Sequence, residues 1–229
     1  MFKSQAQQDV FVYSVLGASG VTPWHQGTFI EIGAGNPVRW NNSFVVDRVL
    51  HWRGVSIEID ASAAAAWDQV RTTPVIVADA LRLDYADMFK HFDLPPVIDY
   101  LSLDIDDAYD AVLKLLPLDK HTFRVITIEH DAYRYGTKFR EAERDILLAK
   151  GYILVCPDMT FDITEQSFED WYVHPDHVPE TAYSRFLNRS VIDVKTDLTS
   201  LAEKFTAELQ SPSEVGKMFL QKQTTATTS

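Results

Sequence analysis

The sequence contains a single cysteine, Cys156, among its 229 residues. An internal disulfide is therefore excluded, and the paired cysteines of zinc-binding motifs are missing. No run of about 18 apolar residues occurs, so the sequence predicts no membrane-spanning helix. The opening segment MFKSQAQQDV lacks the apolar stretch of a secretory signal, which predicts a cytoplasmic protein.

Basic residues are scarce relative to acidic ones. The chain carries 21 Lys and Arg against 33 Asp and Glu, for a formal net charge of −12. Such a surface repels phosphate backbones, so we expect no nucleic acid partner. The hydrophobic content of 46% and charged content of 24% are typical of a globular protein.

Short apolar runs alternate with helical patterns along the chain. The predicted strands cover residues 28–32, 55–59, 75–78, 97–103, 123–129, 152–156 and 170–174. The predicted helices cover residues 5–16, 42–52, 62–70 with Ser62 as cap, 84–92 with Asp84 as cap, 108–116 and 138–150. This rhythm predicts an α/β fold of the Rossmann-like, doubly wound kind, with helices on both faces of a mostly parallel sheet. We expect one domain over residues 1–220, including a last amphipathic helix, and a disordered tail over residues 221–229.

Two glycines follow the first predicted strand directly, in GTFIEIGAGNP at residues 27–37. Ligands of doubly wound sheets bind beyond the carboxyl ends of the strands. A P-loop is excluded because no Lys-Ser/Thr follows the turn. A dinucleotide fingerprint fits Gly33 and Gly35, but Val38 occupies the third glycine position, which disfavours a nicotinamide cofactor without excluding it. The third ligand is S-adenosylmethionine, which carries no phosphate and can lie against a glycine turn that begins with an acid, here Glu31.

The next two strands add groups suited to an adenosine ligand. Glu58 ends the second predicted strand, where a carboxylate can accept both ribose hydroxyls. The segment ADA at residues 78–80 follows the third strand, so Asp79 and Ala80 are predicted to lie beside the adenine.

Seven segments resemble the FkbM family of S-adenosylmethionine-dependent methyltransferases in order and spacing. They are SQAQQD (4–9), GTFIEIGAGNP (27–37), NNS (41–43), WRGVSIEID (52–60), LSLDIDDAYDAVLKLL (101–116), VITIEHD (125–131) and FEDWYVHPD (168–176). The resemblance covers roughly residues 4 to 177. It implies a methyltransferase domain with a seven-stranded sheet whose last strand is antiparallel. The residues that it places at or near the cofactor are Gly33, Gly35, Glu58, Asp79, Gln8 and Asn42.

Two positions depart from the family pattern. Pro37 stands where methyltransferase turns often have a third glycine, and proline stiffens the loop and removes a backbone donor. Asp107 replaces a glycine that is usual at this point of the family, which adds a carboxylate near the expected chemistry.

Acidic residues follow the fourth and fifth predicted strands, in LDIDD and IEHD. These strands are predicted to be neighbours, so the acidic ends should meet on the cofactor side of the sheet. Methyl transfer to oxygen requires an aligned acceptor hydroxyl and a group that takes its proton. We therefore predict Asp104, Asp106 and His130 as catalytic residues. The alternative is that Asp106 caps the helix that begins at Ala108 and that Asp131 caps a turn.

A divalent cation would lower the pKa of an acceptor hydroxyl. Carboxylate oxygens with one imidazole suit Mg²⁺ or Mn²⁺. By analogy with metal-dependent sugar methyltransferases of related fold, the predicted metal ligands are Asp104, Glu129 and His130.

The predicted function is therefore O-methylation of a sugar hydroxyl, in a glycan or a glycosylated small molecule, with S-adenosylmethionine as methyl donor. Trp24, Trp40 and Trp171 offer aromatic faces for a sugar acceptor, and Trp40 is the preferred one. Three alternatives stay open: an NAD-dependent oxidoreductase, a metal-dependent hydrolase that uses the acidic residues, and a binding module without catalysis.

Overall fold

The structure is a computed structural model that describes residues 2–106, 109–160 and 166–192. The predicted C-terminal helix and tail lie outside these ranges, and so do Asp107 and Ala108. Among the described residues, no helix has the length and apolar character needed to cross a bilayer.

One sheet of seven strands forms the centre of the described chain. The strands are β1 (Thr28–Ile32), β2 (Arg53–Glu58), β3 (Val75–Val77), β4 (Val97–Leu103), β5 (Thr122–Glu129), β6 (Ile153–Thr160) and β7 (Ser167–Val173). Their order is β3-β2-β1-β4-β5-β7-β6. Strands β1 to β5 pair in parallel, whereas β7 runs antiparallel to β5 and β6. The predicted seven-stranded Rossmann-like sheet with an antiparallel last strand is confirmed.

Helices surround this sheet. They are α1 (Gln8–Val12), α2 (Phe44–Arg48), α3 (Ala61–Ala64), α4 (Trp67–Val70), α5 (Tyr85–His91), α6 (Tyr109–Leu115), α7 (Ala132–Tyr135), α8 (Lys138–Ala149) and α9 (Glu180–Tyr183). A π-helical turn, Tyr13–Gly17, extends α1, and 3₁₀ turns cover Ala80–Arg82 and Ser184–Phe186.

Two helix starts illustrate how local chemistry sets the boundaries. Asp84 caps α5 as predicted, because its side chain accepts a hydrogen bond from the Asp87 amide. The prediction that Ser62 caps the next helix upstream is wrong. Asp60 caps α3 instead and accepts from the Ser62 amide at 2.8 Å.

The central strands are buried on both faces. All five residues of β1 are buried, and Ile30 and Ile32 pack in the same cluster as Leu101 and Leu103 of β4. Burial of one such side chain stabilises a fold by about 1.5–3 kcal/mol. This packing fixes the strand ends, and with them the polar residues that follow each strand.

Candidate active site

A cavity of about 650 Å³ lies at the carboxyl ends of β1 to β4. This volume is typical of sites for small molecules. Its lining combines the strand ends with two loops and one N-terminal residue: Gln5, Gly33, Ala34, Gly35, Asn36, Arg39, Trp40, Ile57, Glu58, Ile59, Ala78, Asp79, Ala80, Leu81, Asp104, Ile105 and Asp106. The structure thus brings seven predicted site residues together: Gly33, Gly35, Glu58, Asp79, Ala80, Asp104 and Asp106.

The two glycines of the turn have different requirements. Both adopt left-handed backbone conformations, with φ of 84° at Gly33 and 54° at Gly35. A Cβ atom on Gly33 would lie 1.7 Å from the carbonyl oxygen of Asp104, so no side chain fits there. A Cβ atom on Gly35 would meet nothing within 4 Å. Gly33 therefore fixes the approach of β1 to β4, and Gly35 leaves open space beside the cavity.

Glu58 joins the end of β2 to the glycine turn. One carboxylate oxygen accepts from the Gly35 amide at 2.6 Å, and the other accepts from the Asp60 amide at 2.8 Å. A carboxylate oxygen can accept a second hydrogen bond. Glu58 is thus held in a fixed orientation at the cavity wall, with acceptor capacity left for two further donors.

Acidic side chains occupy one row across the sheet. The register places the row at the ends of the parallel strands and at the start of β7. The acidic row consists of Glu58 at the end of β2, Asp104 after β4, Glu129 at the end of β5 and Glu169 near the start of β7. Gly33, after β1, lies between Glu58 and Asp104 in the same row. Strand order and pairing thus concentrate four carboxyl groups beside one glycine.

The carboxyl groups of Asp104 and Glu129 are hydrogen-bonded to each other. Burial raises the pKa of both groups well above the usual values. The negative charge of Glu31 raises the pKa of Asp104 further, and the charges of Asp104 and Glu169 raise that of Glu129 further. Burial also raises the pKa of Glu169. The Asp104–Glu129 pair therefore retains a proton at neutral pH.

The acidic row has no basic counterpart within the described residues. The salt bridges there join other acids to Lys, Arg or His, and none involves Glu58, Asp104, Glu129 or Glu169. Among the described lining residues, Arg39 alone carries a positive charge. The cavity consequently has a negative potential, which favours a cationic ligand.

Glu31 lies behind the cavity wall and not in it. Its carboxylate accepts from the Ser43 amide at 3.0 Å, the Ser43 hydroxyl at 2.8 Å and the Ser56 hydroxyl at 2.9 Å. Asn41 adds a fourth hydrogen bond at 3.2 Å. A buried carboxylate thus already occupies the start of α2, which is where a dinucleotide fold would hold its pyrophosphate.

Gln8 and Asn42 also support the wall from behind. The Gln8 amide donates to Glu169 at 2.7 Å, and the Asn42 amide donates to the Ser102 hydroxyl at 3.0 Å. Both side chains are buried, and neither belongs to the cavity lining.

His130 does not join Asp104 and Glu129, contrary to the sequence expectation. Successive residues of a strand point to opposite faces, so His130 lies on the other side of the sheet from Glu129. Its side chain is fully buried, and its Nδ1 accepts from the Ala132 amide at 3.1 Å. The predicted metal ligands are therefore split between two faces, and His130 does not reach the cavity as a base.

On that other face, His130 belongs to an arginine-paired cluster with Asp158, Asp170, Arg140 and Arg144. His130, Asp158 and Asp170 are the one group among the described residues whose potential ligand atoms lie within 4.8 Å of one another. Arg144 holds both oxygens of Asp170 at 2.6 and 2.8 Å, and Arg140 binds Asp158 at 2.6 Å. Burial raises the pKa of Asp170, but the nearby His130 and the hydrogen bonds from Arg144 together outweigh burial and lower it below its usual value. The guanidinium groups of Arg140 and Arg144 thus already bind the carboxylate oxygens that a metal ion would need as ligands.

The three tryptophans lie in different environments. Trp171 is fully buried, and Trp24 packs edge-on against Tyr13, so neither forms a platform at the cavity. Trp40 is 56% exposed, lines the cavity and has the Arg39 guanidinium 3.9 Å from its ring centroid. Its φ of 56° is unusual for a bulky residue.

The remaining predicted acids differ in exposure. Asp106 lines the cavity with an exposed side chain, and Arg134 lies 3.4 Å from it. Asp79 accepts from the Leu81 amide at 2.9 Å and so caps the 3₁₀ turn beside the cavity. The side chain of Asp131 makes no capping hydrogen bond to α7.

Two residues of this region, Gln5 and Glu169, were missed by the sequence interpretation. Glu169 stands near the beginning of β7 and not at its end. Because β7 is antiparallel, its beginning reaches the same edge as the ends of the parallel strands. Inspection of the segment before the predicted last strand could have identified Glu169.

No family model matches the sequence, and no curated protein matches it. Solved structures similar to this chain include an rRNA methylase from Streptococcus thermophilus, with 11% identity, 73% of this chain and 93% of that chain covered, and a TM-score of 0.48. TrmK of M. capricolum with S-adenosyl-homocysteine has 12% identity, 91% and 93% coverage and a TM-score of 0.45. SMU.1697c, a putative methyltransferase from Streptococcus mutans with SAH, has 10% identity, 73% and 94% coverage and a TM-score of 0.48. These values are too low to assign an activity.

Proposed function

We propose that this chain is an S-adenosylmethionine-dependent O-methyltransferase that acts on a hydroxyl of a sugar-containing acceptor. The observation that carries the proposal is the acidic row beside the glycine turn, whose members Glu58 and Asp104 line a cavity of nucleoside size. S-adenosylmethionine has a sulfonium and an ammonium group, and both are favoured by unpaired carboxylates. The resemblance to methyltransferases of the FkbM family, read from the sequence, supports the same ligand.

The same electrostatics oppose a nicotinamide dinucleotide. The pyrophosphate of this cofactor carries two negative charges, and Arg39 is the one basic residue among the described lining residues of the cavity. Glu31 already accepts the Ser43 amide at the start of α2, so this helix start offers little to a phosphate.

Each part of the cofactor has matching residues in the cavity. Glu58 accepts the ribose hydroxyls with the acceptor capacity that its backbone contacts leave. Ile59 and Leu81, which are 70% and 44% exposed, offer apolar contacts for the adenine beside Asp79. Asp104, which follows β4 in the cavity wall, would then face the sulfonium of the bound cofactor.

The bound cofactor supplies an electrophilic methyl group. Asp104 would accept the proton that the acceptor hydroxyl loses when it takes the methyl group. Glu129 holds the Asp104 carboxyl in place through their shared hydrogen bond. Asp106, which is more exposed, contacts the acceptor from the solvent side.

No step of this mechanism uses a divalent cation. The residues predicted to hold Mg²⁺ or Mn²⁺ do not fit such an ion, because His130 faces away from Asp104 and Glu129. The converging ligand atoms of the arginine-paired cluster are already bound by Arg140 and Arg144.

The sugar component of the proposal rests on Trp40. Its exposed ring stands at the cavity with Arg39 beside it, and strained backbone at an exposed aromatic residue is typical of ligand contacts. Aromatic faces stack on the apolar faces of sugar rings.

Isothermal titration calorimetry with S-adenosylmethionine and with NAD tests the proposal. We expect micromolar binding of S-adenosylmethionine and no heat with NAD under the same conditions. Binding of NAD alone would replace the proposal with an oxidoreductase, and binding of neither would refute it.

A further inference from the structure

The residues before α1 form an N-terminal strap, defined here as residues 3–7. Its first part is tied down by Asp9, which is buried. The Asp9 carboxylate accepts from the Lys3 amide at 2.5 Å, from the Ser4 amide at 3.1 Å and from the Ser4 hydroxyl. Three hydrogen bonds to one buried carboxylate fix the course of the chain at this point.

The second part of the strap is tied down by Gln8. The Gln8 side-chain oxygen accepts from the Ala6 amide at 2.8 Å, while its amide nitrogen donates to Glu169 at 2.7 Å. Gln7 follows with a left-handed φ of 72°, and its carbonyl accepts the Phe11 amide at the start of α1. The chain is therefore anchored on both sides of Gln5.

Gln5 is the strap residue that lines the cavity, and its side chain is exposed there. The strap is tied to Glu169 on β7, so it approaches the cavity from the side of β5 and β7. Glu58 and Asp79 follow β2 and β3, at the opposite side of the same cavity. Gln5 thus lines the cavity from the strap, whereas Glu58 and Asp79 line it from the ends of β2 and β3.

We propose that Gln5 is a specificity-determining residue that contacts the amino-acid portion of the cofactor. This inference rests on the proposed function, because ribose held at Glu58 would leave the part of the cavity lined by Asp104 and Gln5 for the methionine chain. A glutamine amide can donate to a carboxylate and accept from an ammonium group, and the cofactor's amino-acid portion has both. The hydrogen bonds of Asp9 and Gln8 hold the backbone on both sides of Gln5 in place before the ligand binds, which lowers the backbone entropy lost on binding.

The test compares two ligands that share adenosine and differ in the amino-acid portion. S-adenosylhomocysteine has this portion, and 5′-methylthioadenosine lacks it. Calorimetry should show that Gln5→Ala weakens S-adenosylhomocysteine about tenfold, which corresponds to one hydrogen bond to a charged group. The affinity for 5′-methylthioadenosine should stay unchanged. Gln5→Glu, which places a negative charge against the ligand carboxylate, should weaken S-adenosylhomocysteine further.

Gln26→Ala is the matched control, because Gln26 is an exposed glutamine outside the cavity lining. It should change neither affinity, whereas Glu58→Ala should weaken both ligands. Equal losses for both ligands in Gln5→Ala, or no loss for either, would overturn the role of Gln5. If the wild-type protein binds neither ligand, the proposed function itself fails, and this result is distinct from a failure of Gln5 alone.

Discussion

The acidic row and the arginine-paired cluster lie on opposite faces of the same sheet. Within the described part of the chain, the acids of the cluster are paired with arginine, whereas those of the row are not. Consecutive residues of the chain, Glu129 and His130, belong one to each. In the cluster, Arg144 neutralises Asp170 and the pKa of that acid is low. In the row, Asp104 and Glu129 have raised pKa values and no basic partner among the described residues.

We infer from this contrast that the arginine-paired cluster supports the fold and that the acidic row serves the function. A buried acid that is paired with arginine contributes to a satisfied structural network, and removal of either partner leaves an uncompensated charge. Partly buried acids that face one another, such as Asp104 and Glu129, are unfavourable for the fold, and such groups are concentrated at functional sites. Burial of polar groups alone would not have distinguished the two faces, whereas the balance of charge does.

The largest effect is expected from a break in the arginine-paired cluster. Asp170→Ala removes the two hydrogen bonds from Arg144 and the one from the Asp158 amide, and it leaves Asp158 as the remaining acidic partner of Arg144. We expect a loss of about 3–5 kcal/mol in the free energy of unfolding, measured by urea denaturation. Asp119→Ala, which removes an exposed ion pair with Lys150, is the matched control and should have no measurable effect. A loss as small as that of the control would show that the cluster does not support the fold.

Substitutions in the glycine turn can disturb the acidic row without changing its charge. Gly33→Ala introduces a Cβ atom against the Asp104 carbonyl, so we expect a loss of stability of about 2–3 kcal/mol together with loss of cofactor binding. Gly35→Ala has space for its Cβ atom and should lose only about 1–2 kcal/mol through its left-handed backbone. Thermal unfolding of both variants checks the order, and equal losses would contradict the close approach at Gly33.

Glu58→Ala tests the row at its β2 end. It removes the proposed ribose acceptor, and we expect cofactor binding to weaken by about 1.5–3 kcal/mol in calorimetry. Glu180→Ala, at an exposed position of α9, should leave binding unchanged. A change below about 0.5 kcal/mol in Glu58→Ala would place the ribose elsewhere.

The raised pKa values predict that stability depends on pH through the row. A carboxyl group with a folded-state pKa above its unfolded value contributes stability that is present at low pH and lost as pH rises through the folded-state pKa. Urea denaturation should therefore show stability that falls as the pH rises from about 4.5, the ordinary pKa of a Glu carboxyl, toward the raised pKa of Glu129 at about 10. Glu129→Gln cannot ionise and keeps an amide that can donate to Asp104, so its decline should be shallower. The same slope in wild type and variant would contradict a protonated Glu129.

The smallest effect is expected from chelation. Because the predicted metal ligands Asp104, Glu129 and His130 do not converge, EDTA should leave the affinity for S-adenosylhomocysteine and methyl transfer unchanged. Restoration of lost activity by Mg²⁺ or Mn²⁺ would show that a cation binds the row after all.

Most of the fold follows from local patterns in the sequence. The bounds of β1 and β4 agree with the predicted apolar runs, and Asp84 caps α5 as predicted. The residues directly after parallel strands, such as Glu58 and Asp104, lie at the cavity because the ends of parallel strands meet at one edge.

The errors arise where neighbours distant in sequence decide the outcome. His130 was expected beside Glu129, but strand alternation sends it to the opposite face. Glu31 looked like a turn acid, yet Ser43 and Ser56 surround its carboxylate. Trp171 is buried through its place in β7. Apolar spacing does not encode such pairings, because they depend on the register between strands.

The juxtaposition of Glu129 and His130 has a consequence for engineering. A saturation library at these two codons should yield two separable phenotypes from adjacent positions. Substitutions at 129 should change ligand binding through the Asp104 carboxyl, whereas those at 130 should disturb the arginine-paired cluster and lower the yield of folded protein. Substitutions meant to change the acceptor should therefore be made on the face of Glu129, and the arginine-paired cluster on the other face should be left unchanged.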